Sequence, residues 1–467
     1  MFPAQECYAC AEDDLIELAS LMVDDPLTGG GGNPPGVSMA SGLLYLAQFV
    51  DHDLTLDTTS LARTAEVPPE ERHNYRSPFL DLESLYGGGP KLSPYLYYLP
   101  AGRPSGRRMP PGHERFLLGK TSPSGAELDL PRTSMGRPIM AEPRNEENLI
   151  LAQLHVAMLR FHNRIMDALE NNEITVPSPG APLFPQAQRL VKWHYQYVVL
   201  NELLHFLLEV GGKEEAIANA LPISAVPIEF ALAGFRIGHS MVRNFYQMNT
   251  SHQMETEASL TELMRLNSQS EPPFEHLTDE WTIEWKRFFD DFPELENRSR
   301  ALDTSIAKAL HHLDFEVPIE TGENPRKVSS LPAITLLRGQ RSQLPSGGTV
   351  AKIICEEPLT EDDMLSGHAE GVSDMLERLG WIDDAPLWFY ILQEGAVRGE
   401  KRWLGPVGSH IVGRTIVGLL KADPDSILTA GRGWTPSVWN EGGWCANKMG
   451  RMVGLATGLI DPHKAAQ

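Results

Sequence analysis

The sequence contains no run of 18 or more apolar residues, so no segment is expected to cross a membrane as a helix. Its opening stretch, MFPAQECYACAEDD, lacks the basic and apolar regions of a secretory leader, which reads as a soluble, cytoplasmic chain with non-classical export left open. Only four cysteines occur in 467 residues, too few for a disulfide scaffold. Two of them, Cys7 and Cys10, form a single C-x-x-C with no second Cys or His pair nearby, which favours spare thiols over zinc. Bases are outnumbered, 40 Lys and Arg against 62 Asp and Glu, and the net charge of -22 argues against nucleic acid or an anionic membrane surface as a partner. Strand patterns are few, and there is no internal repeat.

Helical periodicity dominates instead. Apolar residues at three and four spacing predict helices over about Asn145–Leu169, Gln186–Val210, Pro227–Val242, Glu361–Leu379, Leu387–Ala396 and Val407–Leu420. The fold class expected is mainly α: a single large helical domain with long irregular loops and little strand. Residues 1–36 read as an N-terminal extension ending in a Gly/Pro loop, because Gly29 to Gly36 cannot sustain a helical ladder, and 37–467 read as the domain. A helix follows from Val37, with Ser38 as its N-cap and Gln48 to Asp53 in its last turns. Between Gly87 and Pro143 the chain is rich in Gly and Pro, which predicts an irregular excursion carrying Arg103, Arg107 and Arg108 as solvated loop charges.

Chemistry concentrates in Gln48-Phe49-Val50-Asp51-His52-Asp53-Leu54-Thr55 and, far downstream, Phe235-Arg236-Ile237-Gly238-His239-Ser240. Consecutive side chains on a helix fan out by roughly 100°, so Asp51 and Asp53 leave His52 on nearly opposite sides while Gln48 shares its face. Glu142-Pro143-Arg144-Asn145-Glu146-Glu147-Asn148 opens another helix, with Arg144 and Glu147 three apart. Alone, His52 or His239 would be a satisfied core histidine, Arg144 and Glu147 a surface pair, and Asp81 and Glu83 turn acids. Unpaired acids within an apolar helix are costly, however, and weigh against the bland reading of the first motif.

From Val37 to Pro436 the chain resembles the animal-type haem peroxidases of the peroxidase–cyclooxygenase superfamily, most closely their compact bacterial members. The matching segments, in order, include Q-F-V-D-H-D-L-T, R-S-P-F-L-D-L-E-S-L-Y-G, E-P-R-N-E-E-N, R-F-H-N-R-I, F-R-I-G-H-S-M-V, L-L-R-G-Q-R-S-Q-L-P-S-G and L-G-P-V-G-S-H-I-V-G-R. The resemblance implies a domain binding haem b, in which His52 is the distal acid–base group, Arg144 the distal cation, Gln48 a lining residue at the halide position, and His239 the iron ligand. It implies ester links to the haem through Asp51 and Glu147, and a propionate partner in Arg236. A Ca2+ site is implied at Asp53, Ser77, the Phe79 carbonyl, Asp81 and Glu83, an oxygen set suited to a hard cation. Thr335 stands where relatives carry an Asn that accepts from the ligand histidine, so its hydroxyl is the expected acceptor.

The activity implied is reduction of hydrogen peroxide with oxidation of small phenols, amines or halides. Two rivals are weighed. A fatty-acid dioxygenase of the superfamily places a radical-forming tyrosine three residues before the proximal histidine, where this chain has Arg236. A catalytically weak haem-binding adhesion or scaffold protein would have little use for His52, Arg144 and His239 together. The oligomeric state is left open. Glu202-Leu203-Leu204-His205 is a lone E-x-x-H without the second copy a di-iron site needs, and reads as structural. His155, Arg160, His162 and Asn163 read as buried hydrogen-bonding groups, and Trp434, Trp439 and Trp444 as loop packing.

Overall fold

The computed structural model describes residues 1–2, 10–24, 38–68, 71–98, 114–175, 180–250, 257–270, 274–369, 371–436, 439 and 445–463. Cys7, Arg103, Arg107, Arg108, Trp444 and the Gly29–Gly36 stretch lie outside the described residues.

Helix α1 (Glu12–Leu21) buries Leu15 and Leu18. Helix α2 (Ser41–Leu54) buries Leu43, Leu46, Phe49 and Val50. Helix α3 (Glu83–Tyr86) is a single turn. The longest helix, α4 (Leu149–Glu170), has an almost wholly apolar inner surface, and the Asn148 side chain caps it by accepting from Leu151 N. Helices α5 (Leu183–Val198) and α6 (Gly238–Met241) follow, then α7 (Leu331–Arg341), α8 (Leu387–Val397), α9 (Pro406–Ala422) and α10 (Met449–Thr457). Helix α4 is the hub, packing against α2, α5 and α10, while α1 docks on α7. The N-terminal extension therefore contributes a helix to the core. Strand content among the described residues is two antiparallel pairs of two residues each, β1 (Phe245–Tyr246) with β2 (Ala258–Ser259) and β3 (Val317–Pro318) with β4 (Lys327–Val328). The mainly α expectation holds.

Several boundaries differ from expectation for local reasons. Ser38 does not cap α2: the N-cap is Ala40, without a side-chain bond, and the buried Ser38 instead offers its carbonyl to Arg298 Nη1 at 3.2 Å. The helix expected from Asn145 begins at Leu149, because Pro143–Glu146 winds into a separate 3₁₀ turn. The helix expected over Pro227–Val242 is broken. Phe230–Gly234 forms a π turn, closed by Phe235 N on Phe230 O at 2.9 Å, and only Gly238–Met241 returns to α geometry. Gly234 lets α9 approach closely here, since a Cβ there would lie 2.7 Å from Ile411 Cγ2. The span Glu361–Leu379 divides into Glu361–Leu365 and Val372–Leu379, separated by Gly371 at φ +87°.

Candidate active site

Helix α2 delivers His52 in its last turn, where it is 5% exposed. Its Nδ1 lies 2.9 Å from Asn145 Oδ1, and its Nε2 lies 3.8 Å from Glu147 Oε2, beyond hydrogen-bond reach. Glu147 is half exposed and accepts from Gln48 Nε2 at 3.3 Å, while Gln48 Oε1 accepts from Asn148 Nδ2 at 3.3 Å. Asp51, partly buried, accepts at 3.3 Å from the Thr55 hydroxyl. His52, Gln48, Asp51, Arg144 and Glu147 are thus assembled at one place by α2 and the turn before α4.

That turn is clamped at almost every residue. Glu142, 1% exposed, accepts from Arg144 N at 2.9 Å, from Arg144 Nε at 3.0 Å and from Arg76 Nε at 2.9 Å. Burial alone would raise its carboxyl, but the bonds and charge of Arg144, with Arg76 behind, hold it down at about 2. Arg144 Nη2 also donates to the carbonyls of His52, at 3.0 Å, and Thr55, so the guanidinium ties off the exposed carbonyl end of α2. Glu146, 4% exposed, pairs with Arg132 and accepts from Ser268 Oγ at 2.5 Å. Asn145 passes its second contact to His155, with Nδ2 at 3.1 Å from His155 Nδ1. Glu142, Asn145, Arg76 and the His155 link were not singled out as functional from the sequence. The signal available was that Glu142 and Asn145 stand inside the same motif as Arg144.

The second histidine is held differently. Gly238, next to His239, packs on α2 across a distance at which a Cβ would lie 3.4 Å from Leu44 Cδ1. Leu44 precedes His52 by eight residues, roughly 12 Å of helix. His239 Nδ1 is buried and has no hydrogen-bond partner among the described residues. Burial, followed by the charge of Arg236, pushes this imidazole down to about 3, so it is neutral. Trp388 stands edge-on to it at 6.0 Å between centroids and donates from Nε1 to Arg236 O at 3.2 Å. Thr335 is buried, but its hydroxyl donates to Leu331 O at 2.9 Å, and the expected bond to His239 is not made. A short β-branched hydroxyl on a helix readily donates to the carbonyl four residues back, and this donation leaves its lone pairs able to accept.

Arg236 donates from Nε to Ala231 O at 2.9 Å. The Arg338 side chain, one turn after Thr335 on α7, makes no hydrogen bond or ion pair among the described residues, its backbone carbonyl accepting from Ser342 N. Burial and then the charge of Arg236 pull it down to about 10. The two guanidinium groups repel each other and neither is in an ion pair among the described residues, the charge of Asp57 only partly offsetting the repulsion on Arg338, so the pair could take an anion. Arg338 was missed from the sequence, although its three-residue spacing from Thr335 was available.

The expected cation loop is wound on itself. Asp53, fully buried, accepts from Leu82 N at 3.1 Å, Ser84 N at 3.1 Å and Ser84 Oγ at 2.7 Å. Asp81 accepts from Ser77 Oγ at 2.8 Å and Glu83 N at 3.0 Å, and Glu83 accepts from Ser77 N at 2.8 Å. Leu82, at φ +63°, makes the left-handed turn that returns the chain toward Asp53. Burial and then the charge of Asp81 raise Asp53 to about 7, and the buried Tyr195 hydroxyl has no hydrogen-bond partner among the described residues. Among the described residues no three His, Cys, Asp or Glu side chains gather closely enough to enclose a metal by themselves.

The remaining polar residues are structural. His162 Nδ1 meets Tyr86 Oη at 2.9 Å, Asn163 pairs with both backbone groups of Phe116, and Arg160 donates to Ala456 O and Glu127 O. Glu202 accepts from Met449 N at 2.7 Å at the start of α10. Trp434 packs edge-on against Trp193 and His194, and the buried Trp439 donates to Glu173. No described helix is long and apolar enough to cross a membrane.

A family model for animal haem peroxidases matches residues 47–424. Chorion peroxidase of Drosophila melanogaster is 24% identical over 340 residues, covering 69% of this chain and 38% of that protein. Peroxidase mlt-7 of Caenorhabditis elegans is 25% identical over 197 residues, covering 41% of this chain and 26% of that protein. The chain thus spans well under half the length of these curated relatives. Among solved structures, peroxidase A from Dictyostelium discoideum superimposes with a TM-score of 0.58 at 14% identity, over 92% of this chain and 85% of that one. The fatty acid alpha-dioxygenase of Oryza sativa does so with 0.59 at 12% identity, over 95% and 76%. At such identities the two superpositions establish a shared fold and nothing about substrate.

Proposed function

The chain belongs to the animal haem peroxidase family, and from that premise we propose that it is a peroxidase, with residues 37–467 as its haem domain and helix α1 docked upon it. The observation that carries the reading is the assembly of His52, Arg144 and Gln48 at the end of α2, with a neutral His239 whose Nδ1 lacks a partner on the chain segment packed against the same helix.

The residues suit a haem. A neutral imidazole is the form that ligates iron, and His239 is held in that form by burial. Arg236 and Arg338 are the cations left for two propionates, and Asp51 and Glu147 are the carboxylates available for ester links. When bound, the haem supplies the redox chemistry. The chain supplies the rest. His52 takes a proton from one peroxide oxygen at Nε2 and returns it to the other, a role typically worth about 10²–10⁴-fold. Arg144, with Nε and Nη2 committed to Glu142 and to the carbonyls of His52 and Thr55, anchors the turn carrying His52 and leaves Nη1 for the developing negative charge.

Calcium is the second ligand of this reading. Asp53 and Asp81 confront each other in a buried loop, the arrangement a cation relieves, with Ser77, the Phe79 carbonyl and Glu83 as further oxygen donors. Phenols, amines or halides are the proposed electron donors. Peroxide-dependent oxidation of guaiacol and of iodide by the haem-loaded protein tests the activity. Turnover that collapses in His52→Leu supports it, and oxygen uptake with a fatty acid but no peroxide chemistry would favour the dioxygenase.

A further inference from the structure

The only hydrogen bond of the His52 side chain among the described residues runs away from the pocket, from Nδ1 to Asn145 Oδ1 at 2.9 Å. Asn145 in turn places Nδ2 at 3.1 Å from His155 Nδ1. All three groups are buried, at 5%, 0% and 1% exposure. An amide has two chemically distinct ends, so this chain of contacts has a direction. With the oxygen toward His52, only a proton on His52 Nδ1 completes the first bond. The amide NH2 then completes the second only if His155 Nδ1 is bare. With the amide reversed, His155 would carry its proton on Nδ1, His52 would carry its own on Nε2, and the nitrogen facing the pocket could accept nothing.

We infer that Asn145, oriented by His155, is a positioning residue that keeps the proton of His52 on Nδ1 and leaves the Nε2 lone pair free toward the pocket. The inference rests on the reading of His52 as the pocket's base. Burial pushes His155 down to about 4, so it is a neutral ring with one N–H and an acceptor at its other nitrogen. The amide is carried by a backbone that has little freedom: Asn145 N donates to Glu142 O at 3.0 Å, and its neighbours Arg144 and Glu146 are both in ion pairs. Glu147 cannot substitute for this control, because it stands 3.8 Å from the other nitrogen. The motif therefore does two jobs. Arg144 holds the backbone of the His52 turn, and Asn145 sets which nitrogen of its ring is basic.

The test uses the haem-loaded protein and two readouts: the stopped-flow rate of its reaction with hydrogen peroxide, and the association rate of hydrogen cyanide, which also surrenders a proton to the distal base but involves no turnover. Asn145→Leu is expected to slow both by about tenfold or more, within the range of general-base assistance. Asn145→Asp, whose carboxylate accepts from Nδ1–H as the amide oxygen does, is expected to recover most of the loss. His155→Phe is expected to slow both rates in the wild-type background and to add nothing to Asn145→Leu, the signature of one coupled unit. His155→Gln, which can accept from the amide, is expected to rescue. Should Asn145→Leu fail to fold, the comparison of His155→Phe with His155→Gln decides. The proposal is overturned if Asn145→Leu reacts as the wild type while His52→Leu is slow, or if Asn145→Asp is as slow as Asn145→Leu. If His52→Leu itself keeps both rates, the reading of the base falls, and this proposal with it.

Discussion

The two sides of the pocket are satisfied to different degrees by the chain itself. On the side of His52 nearly every polar group has a partner: Asn145 and His155 behind the imidazole, Glu142 and two carbonyls on Arg144, Arg76 completing Glu142. On the side of His239 the imidazole Nδ1 is unmet, the Arg338 side chain is in no ion pair among the described residues, and the Thr335 hydroxyl turns back to its own helix. Buried polar groups are ordinarily paired, so the first side reads as preorganised by folding and the second as completed by a ligand. A catalytic group must be in place before the substrate arrives. A cofactor's ligands need only be in place once it has bound.

The sharpest way to break this contrast is at Glu142. It is the shared anion of two guanidinium groups in a nearly dry position, and removing one partner of a buried pair strands the others. Glu142→Gln is expected to destabilise the haem-free protein by about 3–5 kcal/mol in denaturant unfolding. A cost under about 1 kcal/mol would show that the network is ornamental to folding. On the other side, His239→Leu is expected to abolish haem binding yet leave the haem-free protein as stable as the wild type, or more so by up to about 2 kcal/mol, since it deletes a buried polar nitrogen that nothing satisfies among the described residues. Clear destabilisation of haem-free His239→Leu would place that histidine among the folding residues.

A smaller effect separates the cation loop from both sides. Asp53 holds a proton up to about pH 7 in the folded chain, whereas the unfolded carboxyl releases it near 3.8. Across that window the folded state binds more protons, so this group's contribution to stability is greatest at low pH and is lost as pH rises through 7. If the proposed calcium site is filled, the ion takes the place of that proton. Its addition should therefore raise the melting temperature by a few degrees at pH 8 and by less at pH 5, and Asp53→Asn should remove the difference. Equal calcium effects at both pH values would detach the ion from Asp53.

How much of this was legible in the sequence depended on the range of the interaction. Helices α8 and α9 lie within two residues of their expected ends because each is a densely apolar run buried along most of its length. The segment before His239 read as one helix and is not, because apolar spacing carries no mark of a π turn or of the close approach of Ile411 to Gly234. His52, Arg144 and His239 stood out through the motifs that carry the family resemblance. The Asn145 to His155 contact did not, since it requires the 3₁₀ turn that lets a residue ten places earlier reach back along α4. The turn of the Thr335 hydroxyl to Leu331 O was hidden for a similar reason, because that carbonyl comes within reach only once the helix is wound.

The central claim is that His52 and His239 flank one haem. The absorption spectrum of the purified protein, supplied with haem and recorded before and after one equivalent of hydrogen peroxide, tests it most directly. An intense Soret band that shifts on peroxide addition in the wild type, and is missing from His239→Leu, is the predicted result. A colourless wild type, or a His239→Leu protein with an unchanged spectrum, would contradict it.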